Sequence, residues 1–343
     1  MKAIVAKRHG DLKDVVLASV PEPEVGPSEV LVEIKSAALN RLDFWVLEGW
    51  RGLRLRFPHI LGCDGAGIIL QMGEEVSNFA IGDHVAINPT RSCGRCSYCL
   101  GGSDHMCDHF AIFGEHIPGF YAEYQAVPAR NLLKMPDGLS FDIAAAASLV
   151  YVTAWHSLVV AGGLRPGEDV LIVGAAGGVN SACIDIARLA GAGKIVVVGS
   201  SDKKLDVARQ LGAHVTINRQ QEDWGRAVFK ATDRKGVDVV IDNVGAETYQ
   251  SSLRALNKGG RLLTVGNTSG PTFQFDNRYI FGKHLSIIGA TMGPIKDYNK
   301  VMKLVFSGRL TPVIDSVYPL KDGLKALHRL EVGDVAGKLV LRM

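Results

Sequence analysis

The stretch Asp169-Val170-Leu171-Ile172-Val173-Gly174-Ala175-Ala176-Gly177-Gly178-Val179-Asn180 constrains this chain more than any other. Val170–Val173 is an apolar run short enough for a strand buried on both faces. It empties into a turn of glycine and alanine, after which Ile184, Ala187 and Leu189 recur among polar neighbours as they would on a helix. Strand, glycine turn and helix start make a phosphate cradle. Small residues let the backbone approach a pyrophosphate, and the helix N-terminus adds free N–H groups and the positive end of its dipole. Glycine spacing alone also describes a plain tight turn. A second strand at 194–198, about 20 residues on, favours a dinucleotide site, because a βαβ unit requires it.

The same alternation continues along the chain. Strands are expected at Val170–Val173, 195–198, 214–217, 237–241, 261–265 and 285–288, and helices near 178–190, 202–211, 222–231, 246–256 and 297–307. Six parallel strands with crossover helices describe an α/β, doubly wound sheet. Before about Tyr151 the texture differs: short strands at 2–7, 15–20, 30–36, 68–72, 85–87 and 121–127 sit between Pro and Gly breaks. A length of 343 residues agrees with two domains.

Between those parts lies Cys93-x-x-Cys96-x-x-Cys99-x7-Cys107. Four thiolates at these intervals can wrap a loop around one Zn²⁺, offsetting the loop's lack of an apolar core. With every position a thiol, no coordination site is open, so this metal is structural. Two disulfides or an iron–sulfur cluster are the alternatives, the first disfavoured in a reducing compartment. Cys183 reads as a small buried residue.

Charge and hydropathy exclude other classes. Thirty-eight basic against 35 acidic side chains leave +3, too little for a nucleic-acid or membrane partner. The start, MKAIVAKRHG, lacks the apolar core of a signal peptide, and the uncharged stretch 143–152 is too short to span a bilayer. A cytoplasmic protein is expected.

The chain resembles the medium-chain dehydrogenase/reductase superfamily of zinc alcohol dehydrogenases and quinone oxidoreductases. The resemblance rests on Gly62-x-Asp64-Gly65-Ala66-Gly67, Val76 to Gly82-Asp83-x-Val85, the cysteine lobe, Thr153-Ala154-Trp155, Gly174-Ala-Ala-Gly177-Gly178-Val179 and Gly337-Lys338-Leu339-Val340. It implies a GroES-like β-rich catalytic domain at 1–150 and 292–343, with the zinc lobe at 91–108. A Rossmann cofactor domain at 151–291 completes it, with the active site in the interdomain cleft. Dimer or tetramer formation through 285–289 is implied too.

The resemblance breaks at the catalytic metal. Where zinc alcohol dehydrogenases carry Cys, His-Glu and Cys, this chain has Asn40, Cys63-Asp64 and Leu149, and Leu42 replaces the proton-relay hydroxyl. Cys63 and Asp64 offer two ligands where three are usual, with His59 a further ligand type nearby, so a residual cleft metal stays open. Without metal, polarising a carbonyl falls to hydrogen-bond donors. The candidates are Asn40 as an amide donor, Asp64 as an acid if burial raised its pKa, and Thr153, with Tyr151 beside it; each equally suits a structural role. Asp43 suits a buried brace. Phe44, Trp45, Leu47, Trp50 and Leu149 suit either an apolar lining for a ring-bearing carbonyl or enone, or plain core.

An NAD site places a carboxylate at the end of the second strand. Here that end is Val198-Gly199-Ser200-Ser201, with Asp202 suited to capping the next helix. Ser200, Ser201, Lys204 and Arg219 can receive a 2′-phosphate, which favours NADP(H); the cations equally suit a solvated face. Gly174, Ala176, Gly177, Gly178 and Val179 form the pyrophosphate cradle. Asn180, where relatives carry glycine, suggests looser packing there. Gly266, Asn267, Gly289, Ala290 and Thr291 match positions that seat the nicotinamide, and Lys338 a basic position at the cofactor phosphates. The expected activity is NADPH-dependent reduction of a hydrophobic ketone or aldehyde, or oxidation of the alcohol, without catalytic zinc. The alternatives are a quinone or enone reductase and a non-catalytic NADPH-binding protein.

Overall fold

In a computed structural model covering residues 1–343, the chain divides into two units, Met1–Leu149 with Pro294–Met343, and Val150–Gly293. The first is β-rich. Val15–Ser19, Lys2–Ala6 and His59–Ile60 form a three-stranded antiparallel sheet. A second sheet runs Leu132–Lys134, His84–Ile87, Asp64–Met72, Glu29–Ala38, Lys338–Arg342, Ile314–Pro319, and Tyr124–Pro128 also pairs with Glu29–Ala38.

Glu29–Ala38 organises this sheet because its residues alternate. Val30, Val32 and Ile34 are fully buried in a core with Leu61, Ile69, Phe120, Tyr121 and Leu341, while Glu29, Leu31 and Glu33 are half-buried. Its neighbour approaches so closely that a Cβ on Gly67 would lie 2.0 Å from the Glu33 carbonyl, which requires glycine there. Two registers then build the polar centre of this unit. Ala38 pairs with Asp64 on one side and with Val340 on the other, and the Leu39 N–H donates to the Leu339 carbonyl at 2.9 Å. Residues 40, 64 and 338, remote in sequence, therefore converge.

In the second unit six parallel strands run in the order Val215–Asn218, Ile195–Gly199, Val170–Val173, Val237–Asp242, Leu256–Thr264, Ser286–Gly289. Val170–Val173 lies at the centre and is wholly buried, as its unbroken apolar run requires. Helices Gly178–Leu189, Asp202–Gln210, Trp224–Ala231, Tyr249–Ala255 and Asn277–Lys283 connect the strands. Ser286–Gly289 is an outer strand, with Ile287 exposed. The helix expected near 297–307 is Ile295–Phe306, and it belongs to the first unit.

One helix lies where the sequence showed only the uncharged stretch 143–152. Phe141–Trp155 continues as a π-helical segment, His156–Ala161, making 21 residues long and apolar enough to cross a membrane. Its apolar window is 78% buried within the protein, as in a core helix. Ala144–Ala147 is closed to solvent on every side, so the helix shows no amphipathic period.

Candidate functional site

The turn after Val170–Val173 is open on its outer side and tied shut beneath. Gly174 has φ +109°, and a Cβ there would meet Asn180 Nδ2 at 2.0 Å. Asn180 Nδ2 donates to the Val173 carbonyl at 3.0 Å, and Asn180 Oδ1 accepts from Asn243 Nδ2 at 2.7 Å. The expected looser packing is therefore corrected: the Asn180 amide ties strand to helix. Gly177, immediately before helix Gly178–Leu189, is exposed, with nothing within 4 Å of where its Cβ would be. Its backbone and the first N–H groups at Gly178 and Val179 can meet a pyrophosphate directly, while Ala176 packs below.

All strands of this sheet are parallel, so the loops after their C-terminal ends share one edge. Ser200 and Ser201 follow the second strand there. Arg219 is its neighbour, because the Arg219 N–H donates to the Gly199 carbonyl at 3.0 Å, and its guanidinium makes no hydrogen bond or ion pair. Asp202 does not cap its helix as expected. It is the helix's first residue, Ser201 occupies the cap position, and the carboxylate accepts from Asn218 at 3.0 Å and Gln221 at 3.4 Å. Lys204 is half-buried on the first turn. Gly266 and Asn267 follow the fifth strand, and Gly289, Ala290 and Thr291 close the sixth, with Ala290 N–H on the Thr264 carbonyl at 3.0 Å.

In the first unit the polar residues at the converging registers form a closed knot. Lys338 Nζ donates to the Leu39 carbonyl at 2.8 Å, Asn40 Oδ1 at 2.6 Å and Asp64 Oδ2 at 2.9 Å, using all three protons. Asn40 Nδ2 donates to Asp64 Oδ2 at 2.8 Å and faces Cys63 Sγ and the Ala38 carbonyl, each at 3.2 Å. Asp64 Oδ1 accepts the Leu149 N–H at 2.7 Å. Asp43 accepts from Tyr121 Oη at 2.7 Å and the Asn40 N–H at 3.0 Å. Burial drives the Asp43 carboxyl up to about 6, and burial beside Asp64 pushes the Cys63 thiol well above its ordinary range.

Three expectations change here. Asn40 is no free amide donor, because its nitrogen is turned onto Asp64 and Cys63. Asp64 is placed as an acceptor on both oxygens beside an ammonium, which is not the setting of a general acid. Lys338, expected at the cofactor phosphates, is buried against Asp64 instead. His59 is turned away from metal duty, with Nε2 3.1 Å from the Gly114 carbonyl. The Lys338–Asp64 pairing has no local sequence signal, since it spans 274 positions.

In the second unit Thr153 is buried, with Oγ1 3.7 Å from Met292 Sδ, and Tyr151 Oη donates to Asp185 at 3.2 Å, leaving neither aimed at open space. Of the apolar residues, Leu47 is part of the first unit's core, Leu149 is buried, and Trp50 is 44% exposed.

The cysteine lobe fits a tetrahedral ion. Cys96 Sγ lies 3.5 Å from Cys99 Sγ and 3.8 Å from Cys107 Sγ, and Cys93 Sγ lies 3.9 Å from Cys99 Sγ. A zinc with Zn–S of about 2.3 Å needs sulfurs about 3.8 Å apart, whereas a disulfide needs about 2.05 Å. Backbone N–H groups of Cys93 and His109 point at Cys107 Sγ, each at 3.3 Å, and that of Cys96 at Cys93 Sγ at 3.4 Å, favouring thiolate charge. This is the one cluster of three or more His, Cys, Asp or Glu whose ligand atoms all lie within 4.8 Å of one another. The lobe is fastened by Asp104, whose two carboxylate oxygens accept the Ile295 N–H at 3.2 Å.

Residues 26–137 match the alcohol dehydrogenase GroES-like domain, and residues 178–307 the zinc-binding dehydrogenase domain. The chain is 31% identical over 344 residues to an acryloyl-coenzyme A reductase of Sulfurisphaera tokodaii, with 100% of both chains covered. It is 32% identical over 349 residues to an NAD-dependent alcohol dehydrogenase of Sulfolobus acidocaldarius, again covering 100% of both. A crystal structure of an NAD-dependent alcohol dehydrogenase superposes with TM-score 0.96 at 41% identity, covering 100% of each chain.

Proposed function

Given that the chain belongs to the medium-chain dehydrogenase/reductase superfamily and is a nicotinamide-dependent oxidoreductase, we propose that it uses NADPH to reduce the activated double bond of an unsaturated ketone or thioester, at a centre without catalytic metal. A bound reduced nicotinamide supplies the hydride. The observation that carries the reading is the Lys338 ammonium on Asp64 and Asn40. It places an organic cation against the oxygens that a divalent ion would have to use, so the two charges compete for one place.

The choice between double bonds follows from what the knot can still give. Reducing a carbonyl puts charge on one oxygen and calls for a Lewis acid or a proton relay at that atom. Asn40 and Asp64 have their donors and acceptors committed to each other, and Leu42 has no relay hydroxyl. Hydride addition to the carbon β to a carbonyl gives an enolate, whose shared charge asks less of an oxygen-directed acid than an alkoxide does. The α carbon then takes its proton from water, leaving hydroxide, so the demand for either device is weaker. The similarity to an acryloyl-coenzyme A reductase supports this reading.

A second reading, carbonyl reduction or alcohol oxidation, is favoured by the similarity to alcohol dehydrogenases and by the cysteine lobe, which many enone reductases of this superfamily lack. Product analysis on an unsaturated ketone and on crotonyl-coenzyme A decides. A saturated ketone and a saturated thioester support the double-bond reading. An allylic alcohol overturns it in favour of the second.

The cysteine lobe would hold one Zn²⁺ through Cys93, Cys96, Cys99 and Cys107, a closed set whose contribution is to folding. For the cofactor, Arg219, whose backbone N–H meets the Gly199 carbonyl and whose guanidinium is unengaged, supports a 2′-phosphate, hence NADP(H). A second copy pairing along the outer strand Ser286–Gly289 would make a two-fold dimer.

A further inference from the structure

Segment 49–58, Gly-Trp-Arg-Gly-Leu-Arg-Leu-Arg-Phe-Pro, joins helix Leu42–Glu48 to strand His59–Ile60 and holds Arg51, Arg54 and Arg56 with no acidic residue. All three arginines are exposed, and none makes an ion pair or hydrogen bond. Some arginines elsewhere have carboxylate partners, such as Arg261 with Glu168, Arg329 with Asp315 and Arg342 with Asp142.

The segment is anchored. Gly49, at φ +72°, ends the helix with its N–H on the Trp45 carbonyl at 2.8 Å, and the Leu53 N–H closes a turn onto the Trp50 carbonyl at 3.1 Å. Leu55 and Phe57 pack against the core of the first unit, with the Phe57 ring edge-on to His9 at 5.0 Å. Leu53 and Leu55 are half-buried and Arg54 and Arg56 exposed, an alternation that puts the two arginines on one side of an extended chain, their Cα atoms about 7 Å apart. Trp50, 44% exposed, opens the turn that leads into this stretch.

From this we infer that segment 49–58 is the docking site for the nucleotide end of a coenzyme A thioester, with the Trp50 indole stacking on adenine and Arg51, Arg54 and Arg56 taking the phosphates. The inference rests on the thioester reading above and names the handle of that substrate. Guanidinium forks match phosphate oxygens in pairs, and an aromatic face adds sequence-blind stacking on a base. A simple ketone carries neither group and would leave four exposed side chains without purpose.

Calorimetric titration of the full-length enzyme, saturated with NADP⁺, tests the inference with free coenzyme A and with pantetheine, which lacks the nucleotide. Coenzyme A is expected to bind at least tenfold more tightly than pantetheine, and to weaken about tenfold or more on raising salt from 50 to 200 mM. The R54A/R56A variant, its fold checked by thermal midpoint, is expected to lose at least tenfold. Equal affinity for coenzyme A and pantetheine in the unaltered enzyme overturns the inference even if the variant fails to fold. Reduction of crotonyl-coenzyme A with no nucleotide-dependent affinity removes the docking site while leaving the activity; nucleotide-dependent affinity without that reduction keeps the site and removes the activity.

Discussion

The ammonium of Lys338 lies 2.9 Å from Asp64 Oδ2, with both side chains closed to solvent. Removing one member of a buried ion pair leaves the other charge without compensation, at a cost of about 3–5 kcal/mol, whereas replacing both by neutral groups is often close to harmless. Lys338→Met is therefore expected to lower the unfolding free energy by about that amount, and Lys338→Met with Asp64→Asn to recover more than half of it. Denaturant unfolding of the two variants measures this. Additive losses in the double variant would mean that the pair is not coupled.

Asp43 makes the same region pH-dependent. Burial lifts its carboxyl to about 6, against hydrogen bonds from the Asn40 N–H and Tyr121 that pull the other way. The folded-state value exceeds the unfolded one, so between about pH 4 and 6 the folded chain holds more protons than the unfolded chain, and this group's contribution falls as pH rises. Above pH 6 the charged form stays buried at a cost of about 3 kcal/mol. Asp43→Asn keeps an acceptor for Tyr121 and does not titrate. Its stability relative to the unaltered chain is expected to climb by about 2–3 kcal/mol from pH 4 to pH 7 in urea titrations. A difference that does not change with pH would contradict the burial of a charged Asp43.

What could be read in advance divides along physical lines. Val170–Val173, its glycine turn and the four cysteines are local patterns, and each lies in the structure as a strand, a turn and a sulfur tetrad. The polar knot is not local. Asn40, Asp64 and Lys338 meet only because strand Glu29–Ala38 sits between Asp64–Met72 and Lys338–Arg342, a consequence of sheet order. Which way the Asn40 amide faces is decided by its partners, so residue types alone suggest a donor with free protons. Asn180 is a similar case: without Asn243, 63 positions away, its side chain reads as a misfit at a glycine position. Helix Phe141–Trp155 escaped because burial all round erases the amphipathic period.

The cysteine lobe should behave as a folding element. One zinc per chain is expected by metal analysis, and Cys107→Ser or chelation should remove it. Loss of the tetrad also releases Asp104 from the N–H of Ile295, at the start of helix Ile295–Phe306. Several kilocalories of metal-linked folding energy are then lost, so a drop in thermal midpoint of at least about 5 °C is expected. Two zinc ions per chain, with the second surviving Cys107→Ser, would instead place a metal on the knot and end the metal-free reading.

On the proposed NADP(H) reading, cofactor choice turns on Arg219, whose backbone is tied to Gly199 and whose guanidinium is unengaged. A charge-assisted hydrogen bond to a 2′-phosphate contributes about 1.5–3 kcal/mol, so Arg219→Ala should weaken NADPH binding about 10- to 100-fold. NADH lacks that phosphate and should change less than about twofold if Arg219 reads nothing else. Ser200→Asp sets a carboxylate at the end of strand Ile195–Gly199 and should shift preference the same way, repelling the phosphate and offering the ribose hydroxyls an acceptor. Fluorescence titration with both cofactors gives the ratio directly. Equal losses for NADPH and NADH in Arg219→Ala would show that the arginine supports the loop rather than the phosphate, and a preference for NADH in the unaltered enzyme would reverse the assignment.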